Sequence, residues 1–139
     1  MAAPPAGQRA DGSPLGAAVS RLGPRSQATG SVAFSVIGAL LAENEMPLVA
    51  VQGWTLGLPT AIVLTTSRIL VVSDRHYSPL VEEFGLLPGL TIFGRHVDET
   101  ASITFQEGDR LVGVDQIVDV ALAVELATTA RSRAAGTGF

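Results

Sequence analysis

The stretch Thr60-Ala-Ile-Val-Leu-Thr-Thr-Ser-Arg-Ile-Leu-Val-Val72 decides the fold that the rest of the chain completes. It contains two apolar, largely β-branched runs, residues 61–64 and 69–72, separated by Thr65-Thr66-Ser67-Arg68. Two such runs with a short polar connection predict a β-hairpin of strands Thr60–Thr65 and Arg68–Ser73. Because polar residues do not alternate within either run, both strands are predicted to be central and covered on both faces.

Further short strands flank this hairpin on both sides. Turn signals at Gly57-Leu58-Pro59, Pro88-Gly89 and Glu107-Gly108-Asp109 separate them. The additional predicted strands are Leu48–Trp54, Leu80–Leu86, Leu90–Gly94, Ala101–Phe105 and Arg110–Val112. The central part of the chain is therefore predicted to form six or seven short antiparallel strands, with polar loops between some of them.

Residues 31–45 are predicted to form a helix that precedes the strands. Ser31 is the expected N-cap, and Pro47 supplies a stop. Phe34, Ile37 and Leu41 belong to an apolar arc that is wider than a surface helix needs. Two explanations remain open: the whole arc packs on the chain's own sheet, or part of it meets a second subunit.

A second helix is predicted over residues 114–133, with Asp115 as its N-cap and Asp119 in its first turn. Arg131 and Arg133 lie in the last turn, so the charges suit the helix dipole at both ends. The expected buried stripe is Ile117, Val120, Ala121, Val124 and Ala127. Burial of Val124 is predicted together with burial of Leu64, Ile69 and Val71 in the strands.

The order of elements predicts an α+β fold, in which a small, bent antiparallel β-barrel has an N-terminal helix and a capping C-terminal helix. Residues 1–30 are rich in Ala, Pro, Gly, Ser and Arg and are expected to form a disordered tail. Residues 31–133 are expected to form a single domain, and residues 134–139 a flexible C-terminus.

The segment Thr60–Arg68 and the apolar run that follows it resemble the hairpin of bacterial pleckstrin-homology-like (PH-like) domains. That family shows an apolar strand ending in Leu-Thr, a polar turn that includes Arg, and another apolar strand; Leu64, Thr65 and Arg68 match this pattern. Thr66 stands where the family usually has Asp. The resemblance extends more loosely over Met46–Arg133, through the Ile-Thr-Phe strand, the Gly-Asp turn and the final helix.

The resemblance implies a seven-stranded, strongly bent sheet capped by a C-terminal helix, and a role in binding or scaffolding rather than catalysis. Eukaryotic relatives often bind inositol phosphates through a basic loop between the first strands. The corresponding loop here, Thr55–Pro59, contains no Arg or Lys, so phosphoinositide binding is not expected. Fold resemblance alone assigns no role.

Composition narrows the classes of function. The 139 residues are 47% apolar and 16% charged, with a net charge of −4 and no cysteine, which excludes a disulfide, a thiolate metal site and a cysteine nucleophile. The sequence lacks the basic stripe of a nucleic-acid-binding protein. It also lacks an apolar run of the roughly 20 residues that a transmembrane helix needs. Without a signal-peptide pattern at the N-terminus, the protein is expected to be cytoplasmic.

Two polar clusters could carry chemistry: Asp74-Arg75-His76-Tyr77 and Arg95-His96-Val97-Asp98-Glu99. A histidine beside a carboxylate can act as a general base, and two histidines with several acids could bind a metal. However, the sequence has no H-x-x-x-H or H-E-x-x-H spacing, no G-x-S-x-G elbow and no phosphate-binding loop. Solvated loops are the favoured interpretation, and no catalytic, cofactor-binding or metal-binding residue is predicted.

The preferred hypothesis is therefore a non-catalytic binding or assembly module that contacts a protein partner or a second copy of itself. Arg68 is expected to bind turn carbonyls or to pair with an acid such as Asp74. The candidate interaction residues are Phe34, Ile37, Leu41, Arg68, Asp74, Arg75 and His76. The alternative is a small-molecule-binding or hydrolytic enzyme that uses the loops around His76 and His96.

Overall fold

Seven strands and four helices make up residues 13–135, the part of the chain that the computed structural model describes. The helices are α1 (Pro14–Val19), α2 (Pro24–Thr29), α3 (Ser31–Leu40) and α4 (Val120–Ala134). The strands are β1 (Pro47–Thr55), β2 (Leu58–Thr65), β3 (Arg68–Ser73), β4 (Leu80–Gly85), β5 (Leu90–Val97), β6 (Thr100–Glu107) and β7 (Arg110–Ile117). The predicted order of an N-terminal helix, six or seven strands and a closing helix is confirmed, with seven strands and two further helices before α3.

The strands form one antiparallel sheet in the order β4-β3-β2-β1-β7-β6-β5. Its two parts, β1–β4 and β5–β7, are joined by the pairing of Trp54 in β1 with Asp115 in β7. The sheet is bent, as predicted, but β4 and β5 are not paired and the barrel is therefore not closed. Phe84 of β4 and Phe105 of β6 stack with ring centroids 5.6 Å apart, so the two parts pack face to face.

The predicted hairpin is the centre of the core. Residues 61–64 of β2 and 69–72 of β3 are buried, each with at most 2% of its surface exposed. The helix α3 contacts β2 and β3, while α4 lies against β1, β5 and β6. Both faces of β2 and β3 are thus covered, as the sequence indicated, which explains why these strands are continuously apolar.

The second helix begins at Val120 rather than at residue 114, because residues 114–117 complete β7. Ile103 pairs with Val114 and Ala101 with Ile117, so β7 contains one extra residue, a β-bulge, and Gln116 there has a φ of 55°. The bulge buries both Val114 and Ile117. Two buried residues three positions apart imitate helical periodicity, which is why the prediction was wrong here.

The buried face of α4 also differs from the predicted stripe. Val124 is 59% exposed, so its predicted burial is wrong, whereas Leu64, Ile69 and Val71 are buried as expected. The buried residues of α4 are Leu122, Ala123, Leu126, Ala127, Ala130 and Ala134. The stripe was displaced because its register was counted from a helix start that lies in β7.

Residues 13–30 form α1 and α2 where a solvated tail was expected. Leu15, Ala18 and Leu22 are buried in the core, which offsets the entropy of ordering the segment. The carboxylate of Asp119 accepts a hydrogen bond from the Gly23 amide at 3.0 Å and one from the Ser26 hydroxyl at 2.7 Å. Residues 1–12 of the predicted tail, and 136–139 of the predicted C-terminal tail, lie outside the described residues.

The helix α3 is shorter than predicted. Its N-cap is Gly30 rather than Ser31, and it ends at Leu40 because Leu41 takes an extended conformation. The chain then turns, with the Glu45 amide donating to the Ala42 carbonyl at 3.1 Å, before β1 begins at Pro47. This turn brings Glu45 to the β2–β3 hairpin.

The contacts of Asp119 predict that it fastens the N-terminal helices to α4. Replacing Asp119 with Ala removes two hydrogen bonds to a charged acceptor, so the free energy of unfolding is expected to fall by about 2 kcal/mol. Amide exchange should accelerate most in α1 and α2. Glu125→Ala, which removes the exposed ion pair with Arg21, is the matched control and should have a smaller effect. Unchanged exchange in α1 and α2 of Asp119→Ala would contradict this assignment.

Candidate functional site

The side chains of Arg68 and Glu45 form a bidentate ion pair at the end of the β2–β3 hairpin. Arg68 Nε lies 2.7 Å from Glu45 Oε2, and Arg68 Nη2 lies 2.8 Å from Glu45 Oε1. The same guanidinium donates to the Leu40 carbonyl at 2.8 Å and lies 3.3 Å from a Glu83 carboxylate oxygen. Arg68 therefore ties α3, β3 and β4 together. It pairs with an acid and binds a backbone carbonyl, as expected in kind, but the acid is Glu45 and not the suggested Asp74.

The Glu45 carboxylate is 4% exposed and fully occupied by donors. Besides Arg68, it accepts hydrogen bonds from the hydroxyls of Thr65 at 2.7 Å and Ser67 at 3.2 Å and from the Ala42 amide at 3.1 Å. The Arg68 hydrogen bond lowers the pKa of Glu45 to about 2, against the opposing effect of burial. This cluster holds structure in place and leaves no acceptor free for a ligand.

The three candidate interaction residues of α3 belong to the core or its margin. Phe34 and Ile37 are 5% and 0% exposed, and Leu41 is partly buried against the same cluster. Of the two explanations for the broad apolar arc, the structure places these side chains against the chain's own sheet. The exposed apolar residues of α3 are Val32 and Leu40.

Asp74, Arg75 and His76 lie on the loop between β3 and β4 and do not converge on a common centre. Arg75 donates to the carbonyl and hydroxyl of Ser78, at 3.0 and 2.9 Å, and so closes its own loop. His76 packs edge-on against Tyr77, with centroids 4.3 Å apart. The arrangement is that of a solvent-exposed loop, and an interaction role for these residues stays a prediction.

The two histidines belong to opposite edges of the open sheet. His76 precedes the edge strand β4, whereas His96 lies near the end of the opposite edge strand β5. No group of three His, Asp or Glu residues in the described range is arranged to bind a metal. Of the two concave surfaces described below, one is lined by His96 and neither by His76, and the enzyme alternative stays a prediction.

Two concave surfaces are the remaining candidates. The first, called the strand-end cavity, lies between the β1–β2 turn, the start of β4 and β7, and has a volume of about 440 Å³. Its lining includes Leu56, Val81, Glu82, Leu111 and Asp115. None of these residues was predicted from the sequence to contact a ligand, because the cavity exists only through the pairing of β1 with β7.

The second concave surface, called the α4–β5 groove, has a volume of about 240 Å³. It runs between one face of α4 and strands β5 and β6, and its floor is made of small residues that include Gly94, Ala123 and Ala127. His96 and Arg131 also line it. The sequence predicted a strand at Leu90–Gly94 but could not show that β5 is an edge strand.

Comparisons with known proteins add a fold likeness and nothing more specific. No protein-family model and no curated protein matches the chain. A pleckstrin homology domain from Shewanella amazonensis SB2B is similar, with a TM-score of 0.47 at 12% identity over 77% of this chain and 97% of that chain. A DUF1696 family protein with a pleckstrin-homology domain from Shewanella loihica PV-4 has a TM-score of 0.46 at 12% identity, over 68% and 90% of the two chains.

Both similar structures contain pleckstrin-homology domains, the family whose hairpin the segment Thr60–Arg68 resembles. The architecture itself rests on the seven antiparallel strands and closing helix described above. None of the helices in residues 13–135 is long and apolar enough to cross a membrane.

The low pKa of Glu45 predicts a specific acid sensitivity. The folded pKa, about 2, lies below the ordinary value of 4.5, so the stabilisation is complete above pH 4.5 and is lost as pH falls toward 2. The loss should reach about 3 kcal/mol at most. Urea unfolding at pH 7, 4 and 3 measures it. Glu45→Gln should be less stable at pH 7 and should lose less stability on acidification, and an identical pH slope in both proteins would contradict the assignment.

Proposed function

We propose that this chain is a non-catalytic binding module that takes up an extended segment of a partner protein along β5, in the α4–β5 groove. Addition of a strand to an exposed sheet edge is a general mode of peptide recognition, in which backbone hydrogen bonds supply affinity and side-chain pockets supply specificity. The proposal agrees with the binding role that the fold resemblance implies.

The observation that carries the proposal is the hydrogen bond from Arg131 Nε to the Ile92 carbonyl, 2.9 Å long. It places the backbone carbonyl of Ile92 on the side of β5 that faces away from β6. Because alternate residues of a strand direct their backbone groups to the same side, Gly94 and His96 point theirs to this free edge as well. Past the Arg131 contact at Ile92, the free edge of β5 offers unpaired backbone N–H and C=O groups. Their spacing is the one that pairing with a new strand requires.

The groove beside this edge has room for the side chains of an added strand. A Cβ atom at Gly94 would lie 3.5 Å from Arg131 Nη2 and 3.9 Å from the Ala127 Cβ. Both are ordinary contact distances, so glycine at position 94 is not required by close packing. Because Gly94 has no side chain, the groove between β5 and α4 stays open at this position.

The opposite edge of the sheet is less suited to strand addition. Arg110 Nη2 donates to the backbone carbonyl of Glu83 at 2.7 Å and so covers the free side of β4. The Arg110 guanidinium also lies 4.2 Å from the centroid of the Phe84 ring. Charged side chains over an edge are a common protection against unwanted pairing. On β5 the corresponding contact, from Arg131, lies at Ile92 and leaves residues 93–97 exposed beyond it.

The charge of the groove indicates an acidic partner. Arg131 and His96 line it together with Arg95, and no carboxylate does. Within the described residues, Arg131 forms no ion pair. An extended segment that carries Asp or Glu next to β-branched residues would pair with the free edge of β5. Its carboxylates would lie near the Arg side chains of the groove.

A phage-displayed library of random 12-residue peptides, selected against the full chain, tests this proposal. Selected peptides should be enriched in Asp, Glu and β-branched residues, and should shift amide resonances of residues 91–97 and 120–131. Gly94→Val fills the groove and is expected to weaken binding of these peptides about tenfold or more, equivalent to about 1.4 kcal/mol.

Gly89→Val is the matched control, because no atom lies within 4 Å of a Cβ at that position and Gly89 precedes β5. It should bind the selected peptides as the unmodified chain does. Equal binding to the Gly94→Val protein, or resonance shifts confined to another surface, would overturn the proposal.

A further inference from the structure

We infer that the strand-end cavity is a second binding site, independent of β5, for an aliphatic group that carries a cation. Its volume of about 440 Å³ falls in the range of roughly 300–1,000 Å³ that is typical of ligand sites. The cavity and the α4–β5 groove have no lining residue in common. Binding at one site can therefore be tested without the other.

The rim of the cavity is unusually apolar for a solvent-facing surface. Leu56 is 97% exposed and Leu111 65% exposed, and Leu80 and Val81 are exposed beside them. Single exposed apolar residues are ordinary, but a contiguous group around one opening marks an interaction site. An aliphatic ligand would remove these side chains from water.

Leu56 is also held in a backbone conformation that leucine disfavours. Residues 56 and 57 form the two-residue turn between the paired residues Thr55 and Leu58, with φ of 51° at Leu56 and 80° at Gly57. Turns of this kind favour Asn or Asp before Gly, because both positions need positive φ. A leucine that is strained and almost fully exposed contributes nothing evident to folding. Its position on the rim indicates that it contacts a ligand.

The polar groups of the cavity define the charge of that ligand. Asp115 and Glu82 line it, and no Arg or His does. Arg110 lies 3.6 Å from a Glu82 oxygen and partly neutralises it, but the Asp115 carboxylate has no hydrogen-bond or ion-pair partner within the described residues. The bulge at Gln116 directly follows Asp115, and bulges often redirect neighbouring side chains. A cation at the mouth would pair with Asp115.

Titration of the full chain with octylammonium, monitored by amide resonances, tests the inference. Octanoate and octanol are the matched probes of equal chain length. Octylammonium should give saturable shifts at residues 55–57, 80–82 and 111–115, and octanoate should bind more weakly. Asp115→Asn should weaken octylammonium binding roughly two- to fivefold, as expected of one exposed ion pair, and leave octanol unaffected.

Leu56→Asn separates the ligand role from a structural role. The change relieves the strained turn, so the melting temperature should rise while octylammonium binding weakens. The controls are Asp109→Asn and Leu87→Ser, which alter exposed residues outside the cavity lining and should not change binding. Equal affinity for octanoate and octylammonium, or shifts spread over other apolar surfaces, would overturn the inference.

A third probe distinguishes the source of the ligand. N-acetyl-Leu-Lys-Leu-amide presents the same aliphatic and cationic groups on a peptide backbone. If it binds more tightly than octylammonium at the same resonances, the ligand is a basic segment of a protein. If octylammonium binds more tightly, the ligand is a small amphiphilic cation. Absence of binding by both probes contradicts the inference.

Discussion

The close approach of β7 to β1 at Gly53 is the constraint on which the rest of the structure depends. A Cβ atom at position 53 would lie 2.6 Å from the backbone oxygen of Asp115 and 2.7 Å from Val114 Cγ1. Distances this short do not occur between packed atoms, so a larger residue would force β7 away. The pairing of Trp54 with Asp115 is what joins the two parts of the sheet. Both concave surfaces follow from this junction, because it sets where β7 ends and where α4 begins.

The central hairpin and the number of strands could be predicted from the sequence because they depend on local patterns. A run such as Ile69–Val72 has few alternatives to a buried strand, and the turns around it are marked by Gly and Pro. The fold class follows from those elements and their order. Where the prediction was wrong, a tertiary contact had changed the local pattern: the bulge near Gln116 made the end of β7 look helical.

The prediction for the N-terminal segment, which was based on its composition, failed for the same reason. Its Pro, Gly and Ser content is typical of a disordered tail, and nothing local indicates that Leu15 or Leu22 will be buried. The segment is anchored by two hydrogen bonds to the carboxylate of Asp119. Because Asp119 is 93 residues from Ser26 in the chain, no local pattern could indicate this contact. Likewise, the partner of Arg68 could not be identified, since Glu45 is 23 residues away on an unremarkable turn.

The two proposed sites could not be located from the sequence for a related reason. Both depend on the order in which the strands are paired in the open sheet. Arg110 shows how the fold distinguishes the two edges. It covers the backbone of β4 at Glu83 and also partly neutralises Glu82, which leaves Asp115 as the uncompensated charge of the strand-end cavity. At the other edge, Arg131 binds the Ile92 carbonyl, but the edge beyond it stays open as far as His96. The acidic, apolar cavity and the cationic groove are thus two consequences of one unclosed sheet, and their opposite charges predict ligands of opposite kinds.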